Sequence, residues 1–338
     1  MQKSASERAV RPVQPPKASA AAKAAKSASA VARVEPARAG ARVEPARAGA
    51  RVEKGVVERK PRRKSRRKAA RKAKGYTAAT ADKYELYQKA VQSPELDIGF
   101  LRRVFKSTRG REALHFREDF CGTGLLSATW LAESPAGATA EGFDLDPEPV
   151  AWGLAHHFDD LGEKSKAYTV HLKDVRAAGS RAYDVRVSQN FSHFVFTKRA
   201  EMLAYFEAAR ESLVDDGVFV IDLYGGSDAT EEMKEDTKFR GFTYVWEQDK
   251  FFPGTGEYTN HITFRFPDGT ALERAFSYKW RMWYLTELAD ILLEAGFQRV
   301  DRYFEGWNAK GTAGDGIFRK GSRGENCGSW IAYLVGVK

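Results

Sequence analysis

Between residues 113 and 225, strand-like and helix-like stretches take turns, and nothing else in the chain restricts its fold as much. The order is ALHFREDF, LLSATWLAE, ATAEGFDL, PEPVAWGLAHHF, AYTVHLKD, YDVRVSQNF, AEMLAYFEAARESL and VFVIDLYG. A strand reached from its neighbour through a crossover helix runs parallel to it, so this alternation predicts an α/β fold: a Rossmann-like, doubly wound, mostly parallel sheet with helices on both faces. Ligands of such sheets bind at the carboxyl ends of the strands. Those ends carry Glu118 and Asp119, then Asp144 and Asp146, then Asp174, then Asn190 to His193, and the four groups are expected on one edge.

The first strand runs into a Cys-Gly-Thr-Gly turn and then a helix, over HFREDFCGTGLLSATW at 115–130. Strand, glycine turn and helix in this order aim backbone N–H groups and a positive helix end at a ligand. With a carboxylate about twenty residues further on, the turn fits two adenosine ligands. One is a dinucleotide, whose pyrophosphate favours a third glycine; the other is S-adenosylmethionine, which has no phosphate. Ser127 stands at the third position. The turn alone leaves both open.

Upstream, TADKYELYQKAVQ at 80–92 spaces Tyr84, Leu86, Tyr87, Ala90 and Val91 as an amphipathic helix. After Gly225 the period changes. FTYVWEQDKFF, EYTNHITFRF and TALERAFSYKW, joined by PGTG and PDG, alternate as strands do, and predict an antiparallel meander inserted at about 240–282. YLTELADILLEAGF then predicts a helix ending at Gly296, and RVDRYFEGW and SWIAYLVGV the last strands.

Residues 1–75 contrast with all of this. They contain no Phe, Trp, Tyr, Leu or Ile, and hold 23 Lys and Arg against 5 Asp and Glu, while the remainder holds 32 against 40. Such a segment cannot bury enough surface to offset its ordering entropy, and is expected to be a disordered basic tail preceding a folded domain at 76–338. RVEPARAGA occurs twice in tandem at 33–50, a low-complexity spacer. The block at 59–74, with eleven basic residues of sixteen, is expected to attract phosphate polyanions without reading sequence. Two cysteines give neither a disulfide framework nor a metal-ligand spacing. With no apolar run of spanning length, the expectation is a soluble, cytoplasmic, metal-free protein that the basic block can hold to nucleic acid in a nucleoid or nucleus.

EDFCGTG, EGFDLD, HLKDV, LVDDGVFVIDLYG and LLEAGF, in this order, resemble the motif series of class I S-adenosylmethionine-dependent methyltransferases, over roughly Tyr76 to Lys338. The Gly-Phe pair and two closing strands resemble that family's antiparallel C-terminal hairpin. The resemblance implies a seven-stranded sheet and S-adenosylmethionine as cofactor. It implies that Cys121, Gly122 and Gly124 wrap the methionine part, with Glu118 towards its ammonium. Asp144, with Leu145 beside it, would take the ribose hydroxyls, Asp174 and the Val175 backbone the adenine, and Asn190 the sulfonium-bearing portion. One departure stands out: Phe120 occupies the place of the first glycine of the family's loop and is expected to point away from the cofactor.

Methyl transfer from a sulfonium is an in-line displacement that alignment and desolvation can accelerate, so a base is optional. His193, just past the fourth strand, is the candidate base, and Tyr87, Tyr224, Arg281 and Trp283, with Trp280 and Tyr284, are candidates for acceptor binding. The Trp/Arg-rich run resembles members acting on small amines, so the expected acceptor is a small molecule with an amine or hydroxyl. Asn190-Phe-Ser-His is not the Asn/Asp-Pro-Pro-aromatic motif expected of a DNA amino-methyltransferase. An RNA or protein acceptor recruited by the basic tail, and a non-catalytic cofactor-binding protein, are the alternatives.

Overall fold

A computed structural model describes residues 75–308 and 314–338. The expected disordered tail lies outside the described residues. The first helices are α1 (Lys83–Val91) and α2 (Pro94–Arg109). Asp82 caps α1 by accepting the N–H groups of Tyr84 and Glu85. α2 starts with Pro94, which needs no N–H partner there, and stops at Gly110 in the left-handed region.

Next come β1 (His115–Asp119), α3 (Leu125–Glu133), β2 (Thr139–Asp144), α4 (Pro147–His157), β3 (Tyr168–Leu172), β4 (Tyr183–Ser188), α5 (Arg199–Glu211) and β5 (Leu213–Gly225). A second run of strands follows: β6 (Met233–Phe239), β7 (Phe242–Phe252), β8 (Glu257–Arg265) and β9 (Ala271–Arg281). The chain closes with α6 (Leu285–Glu294), β10 (Arg299–Trp307), β11 (Gly314–Lys320) and β12 (Trp330–Val337).

The main sheet has the order β11-β10-β12-β5-β4-β1-β2-β3. β1 to β5 pair in parallel, and β12 joins β5 antiparallel, with Leu334 opposite Ile221. It has eight strands where seven are expected from sequence. The extra one, β11, lies at the edge outside β10, and its GDGIFRK lacks the apolar alternation that marks a buried strand. The meander has four strands rather than three, in the order β6-β7-β8-β9. MKEDTKF of β6 is charged and largely exposed, so no periodicity announced it.

Successive residues of β5 feed opposite cores. Val218 and Val220 pack with α2 and α3, while Phe219, Ile221 and Leu223 pack with α5, α6 and the inner face of the second sheet. Two-sided burial explains the uninterrupted VFVI run. The second sheet also reaches the carboxyl edge of the first, where its inner face, α2 and the loop after β4 enclose a chamber. No described helix is long and apolar enough to cross a membrane.

Candidate active site

The turn after β1 needs left-handed backbone three times in five residues: φ is 54° at Phe120, 50° at Gly122 and 65° at Gly124. A Cβ on Gly124 would meet the Tyr168 hydroxyl at 2.8 Å, whereas one on Gly122 would meet nothing within 4 Å. Gly124 is thus required by packing, and Gly122 faces open space. At Phe120 the left-handed backbone costs roughly 1–2 kcal/mol. Its ring packs towards α5, with centroids 6.0 Å from Phe196 and 6.0 Å from Tyr205, contacts that offset that cost. The Cys121 N–H donates to Phe143 O at 3.0 Å, fixing the turn to β2. Burial pushes the Cys121 thiol pKa up, so it is a packed thiol rather than a nucleophile.

Around this turn the carboxylates have different assignments. Glu118 accepts from Ser127 N (2.9 Å) and Ser127 Oγ (2.6 Å) at the start of α3. Burial still raises its pKa to about 8. Asp144 accepts the Gly122 N–H through Oδ2 (2.7 Å) and the Asp146 N–H through Oδ1 (2.9 Å), and burial raises its pKa. Asp146 caps α4 instead, accepting from Glu148 N at 2.9 Å. Leu145 beside it is 70% exposed. Asp174 is forked by the Arg176 guanidinium at 2.8 and 2.7 Å, and that hydrogen bonding lowers its pKa. The Val175 side chain is buried.

A buried network absent from the sequence reading holds this last loop. Asp119 sits between Arg117 (2.8 Å) and Arg186 (2.6 Å) and accepts from the Tyr205 hydroxyl (2.7 Å), all four side chains being inaccessible. Both guanidiniums also donate to the Val175 carbonyl, and Arg117 to the Ala177 carbonyl. Two buried cations against one anion are tolerable because their remaining N–H groups meet carbonyls and a hydroxyl.

Helix α1 crosses the rim. Gln88 Nε2 donates to Thr123 Oγ1 in the glycine turn at 2.9 Å and lies 2.7 Å from His157 Nε2 on α4. The Tyr84 hydroxyl donates to Glu148 (3.0 Å), and Trp152 Nε1 donates to Asp82 (2.8 Å).

Beyond Asn190 lies a cavity of about 290 Å³. Its walls are α2, the loop after β4, the inner face of the second sheet and the β10–β11 hairpin. Tyr244, Trp246, Ile262, Tyr278 and Trp280 line one side, and Asp97, Gln189, Asn190, Asp222 and Tyr333 the other. A small adjoining cavity is shared by Glu118, Asp97, Gln189 and Asn190. Asn190 has φ 58°, and its N–H and that of Phe191 donate to Asp222 at 2.8 and 2.9 Å.

Of the acceptor candidates, Tyr87 and Trp280 line the cavity. Tyr224 is buried and donates to the Tyr258 hydroxyl at 2.8 Å; Trp283 Nε1 donates to Phe196 O at 3.1 Å. Arg281 lies over the Trp283 ring and binds Thr197 O and Glu287. Those three hold the framework outside the cavity wall, and Tyr284 is exposed. His193 is fully buried and does not line the cavity either. Burial drives its pKa down to about 3, and its Nδ1 lies 3.3 Å from Ser188 Oγ. Chain position put it next to the fourth strand's end, but the short helix Ser192–Val195 turns it inward.

Missed altogether were Asp97 on α2, a segment to which the sequence reading assigns no element, together with Gln189 and Asp222. A signal for the aromatic wall was present: period-two alternation puts Tyr244 and Trp246 of β7 on one face with Ile262 of β8 across from Trp246, and Tyr278 and Trp280 alternate likewise in β9.

No family model matches the chain, and no curated protein matches it. Solved structures do. An S-adenosylmethionine-dependent methyltransferase from Clostridium acetobutylicum superposes with a TM-score of 0.55 at 17% identity, over 75% of this chain and 96% of that one. The chain has a methyltransferase fold. An amino pentose methyltransferase from Micromonospora echinaspora gives a TM-score of 0.53 at 17% identity, over 76% of this chain and 97% of that one. A sugar N-methyltransferase from Streptoalloteichus gives 0.50 at 19% identity, over 78% and 95%.

Proposed function

We propose that the chain is an S-adenosylmethionine-dependent methyltransferase acting on a small-molecule acceptor. The observation that carries the reading is the adjacency of two differently built spaces: a glycine-and-carboxylate rim at the ends of β1 and β2, and an aromatic cavity that meets it at Gln189 and Asn190. A cavity of about 290 Å³ suits a small molecule rather than a macromolecular chain. Its similarity to structures described as an amino pentose methyltransferase and a sugar N-methyltransferase supports the same reading.

The residues present fit the cofactor. Gly122 leaves room where a side chain would intrude, Asp144 offers a carboxylate for ribose hydroxyls, and Glu118 offers one for an ammonium group. Cys121 and Gly124 would shape the methionine end, Asp174 and the Val175 backbone would meet the adenine, and Asn190 would border the transferred carbon. The cofactor, when bound, supplies an electrophilic methyl on a positive sulfur. The chain's part is to align the acceptor with that methyl and keep water out, for which α1 and the aromatic wall are placed.

Calorimetric titration of the full chain tests the first half: saturable binding of S-adenosylmethionine and none of NAD is expected, and the reverse would make it a dinucleotide protein. A radiolabelled methyl donor added with the enzyme to cell extract tests the second, with label expected in the small-molecule fraction. Label in RNA or protein instead would favour recruitment through the basic block at 59–74.

A further inference from the structure

The cavity walls narrow the acceptor's chemistry. Trp280 stacks on Tyr278 at 4.5 Å with Trp246 6.4 Å from each, and aromatic surfaces of this kind attract cations. The opposite wall carries carboxylates: Asp97, Asp222, Glu95 and Glu305. Among the described residues Arg103 is the one cation in the lining. Asp222 is occupied by the Asn190 and Phe191 N–H groups. Asp97 differs. It accepts from the Tyr333 hydroxyl through Oδ1 at 3.2 Å, and its Oδ2 has no hydrogen-bond partner among the described residues. It lines both the aromatic cavity and the small one holding Glu118, so it stands where the two spaces meet. Beside it, Gln189 Nε2 is buried without a partner among the described residues.

We infer that the acceptor is an amine, held as an ammonium ion by the aromatic wall, and that Asp97 takes the proton its nitrogen must release. The inference rests on the methyl-transfer reading above. The bound ammonium gives one proton to Asp97 Oδ2; the freed lone pair then forms the N–C bond to the methyl of a sulfonium donor, while the C–S electron pair goes to sulfur and leaves a neutral thioether. Charge is conserved: ammonium, sulfonium and carboxylate become methylated ammonium, thioether and carboxylic acid. A hydroxyl acceptor would bring no charge to a wall built for one. Burial raises the Asp97 pKa to about 7, which lets the same group bind a cation when ionised and accept its proton afterwards.

The groups around Asp97 are Tyr333 from β12, Asp222 from β5 and Glu118 from β1, with Glu95 and Arg103 on its own helix. Glu305 on β10 and the hydroxyls of Tyr87, Tyr244 and Tyr278 complete the lining. Asp222 and Glu118 titrate near 7 and 8, so a variant has to separate them from Asp97.

Quenching of Trp fluorescence in the full chain, with cyclohexylamine and cyclohexanol as probes, reads the cavity directly because Trp246 and Trp280 line it. The amine is expected to bind at least about tenfold tighter than the alcohol at about pH 8, and its affinity to fall severalfold as pH drops through 7 to about 5.5. Asp97→Asn is expected to lower the preference severalfold, to the part that the aromatic wall supplies, and to flatten the pH dependence to what Asp222 and Glu118 leave; Asp97→Glu is expected to keep both. Equal affinities, no saturable quenching by the amine, or a preference and pH dependence undiminished in Asp97→Asn would overturn the inference. If Asp97→Asn does not fold, a pH-independent wild-type affinity overturns it by itself. Calorimetry with S-adenosylhomocysteine on the same samples reports donor binding separately, so loss of amine binding is distinguishable from failure of the methyl-transfer reading.

Discussion

The rim of the main sheet and the aromatic cavity meet at Asn190, yet they treat polar groups in opposite ways. Beneath the rim, Asp119 satisfies two guanidiniums and a tyrosine, and these in turn take up the carbonyls of the Val175 loop. Across the junction, Asp97 Oδ2 and Gln189 Nε2 have no hydrogen-bond partner among the described residues. Groups bonded to one another define a shape, whereas those left without partners indicate what the shape is for. Chemistry is therefore better read from the second region, and positioning from the first.

The sharpest way to break this comparison is Asp119→Ala. It would leave two buried guanidiniums without a counter-charge, and is expected to cost about 3–5 kcal/mol in urea unfolding, or to prevent folding. A loss under about 1 kcal/mol, as for an exposed pair, would mean that water reaches the network and that it does not organise the rim. Asp144→Ala tests the rim's ligand side. It is expected to weaken S-adenosylhomocysteine binding by about 1.5–3 kcal/mol in calorimetry while the protein stays folded, as for a hydrogen bond to a charged group. Unchanged affinity would remove Asp144 from the cofactor's set.

The third test exploits the carboxylates with raised pKa, Asp97 and Asp222 near 7 and Glu118 near 8. The folded state keeps protons that the unfolded chain releases at about 4. Their contribution to stability is thus fully present below about pH 4 and is lost as pH rises through 7 and 8. Asp174 and Asp216, with lowered pKa, are already ionised above about pH 5 and do not oppose the trend. Buried His193 and half-buried His157, driven down to about 3 and about 4, instead add stability as pH rises to about 6.5 and offset part of the fall. The melting temperature of the ligand-free protein is expected to fall by several degrees between about pH 5.5 and about pH 8.5. A rise would show that these carboxylates are solvated. The smallest effect is expected from Gly122→Ala: with no neighbour within 4 Å but φ at 50°, a stability loss of roughly 1 kcal/mol, seen in urea unfolding. A loss of several kcal/mol would mean the space beside the turn is not open.

Most of the parallel sheet was legible because its strands and helices announce themselves locally. LLSATWLAE is α3 to the residue, and RVDRYFEGW is β10. Two-sided burial gives continuous apolar runs, and glycine with positive φ marks the turn. What escaped was what local pattern does not encode. β6 and β11 are edge strands with charged or glycine-bearing sequences, held by pairing alone. Asp97 is one carboxylate on an amphipathic helix, and nothing in PELDIGFLRRVF distinguishes it from Glu95 until Tyr333 is brought against it. His193 erred the other way: its position after β4 is right for a rim residue, but the backbone turns it into the core.

Helix α1 touches three surfaces at once: the glycine turn through Gln88, α4 through Tyr84, and the second sheet through Tyr84 and Tyr87 against Phe276. A segment with three simultaneous anchorages cannot loosen from one alone without straining the other two. A nine-residue helix thereby ties the position of the glycine turn to that of the aromatic sheet.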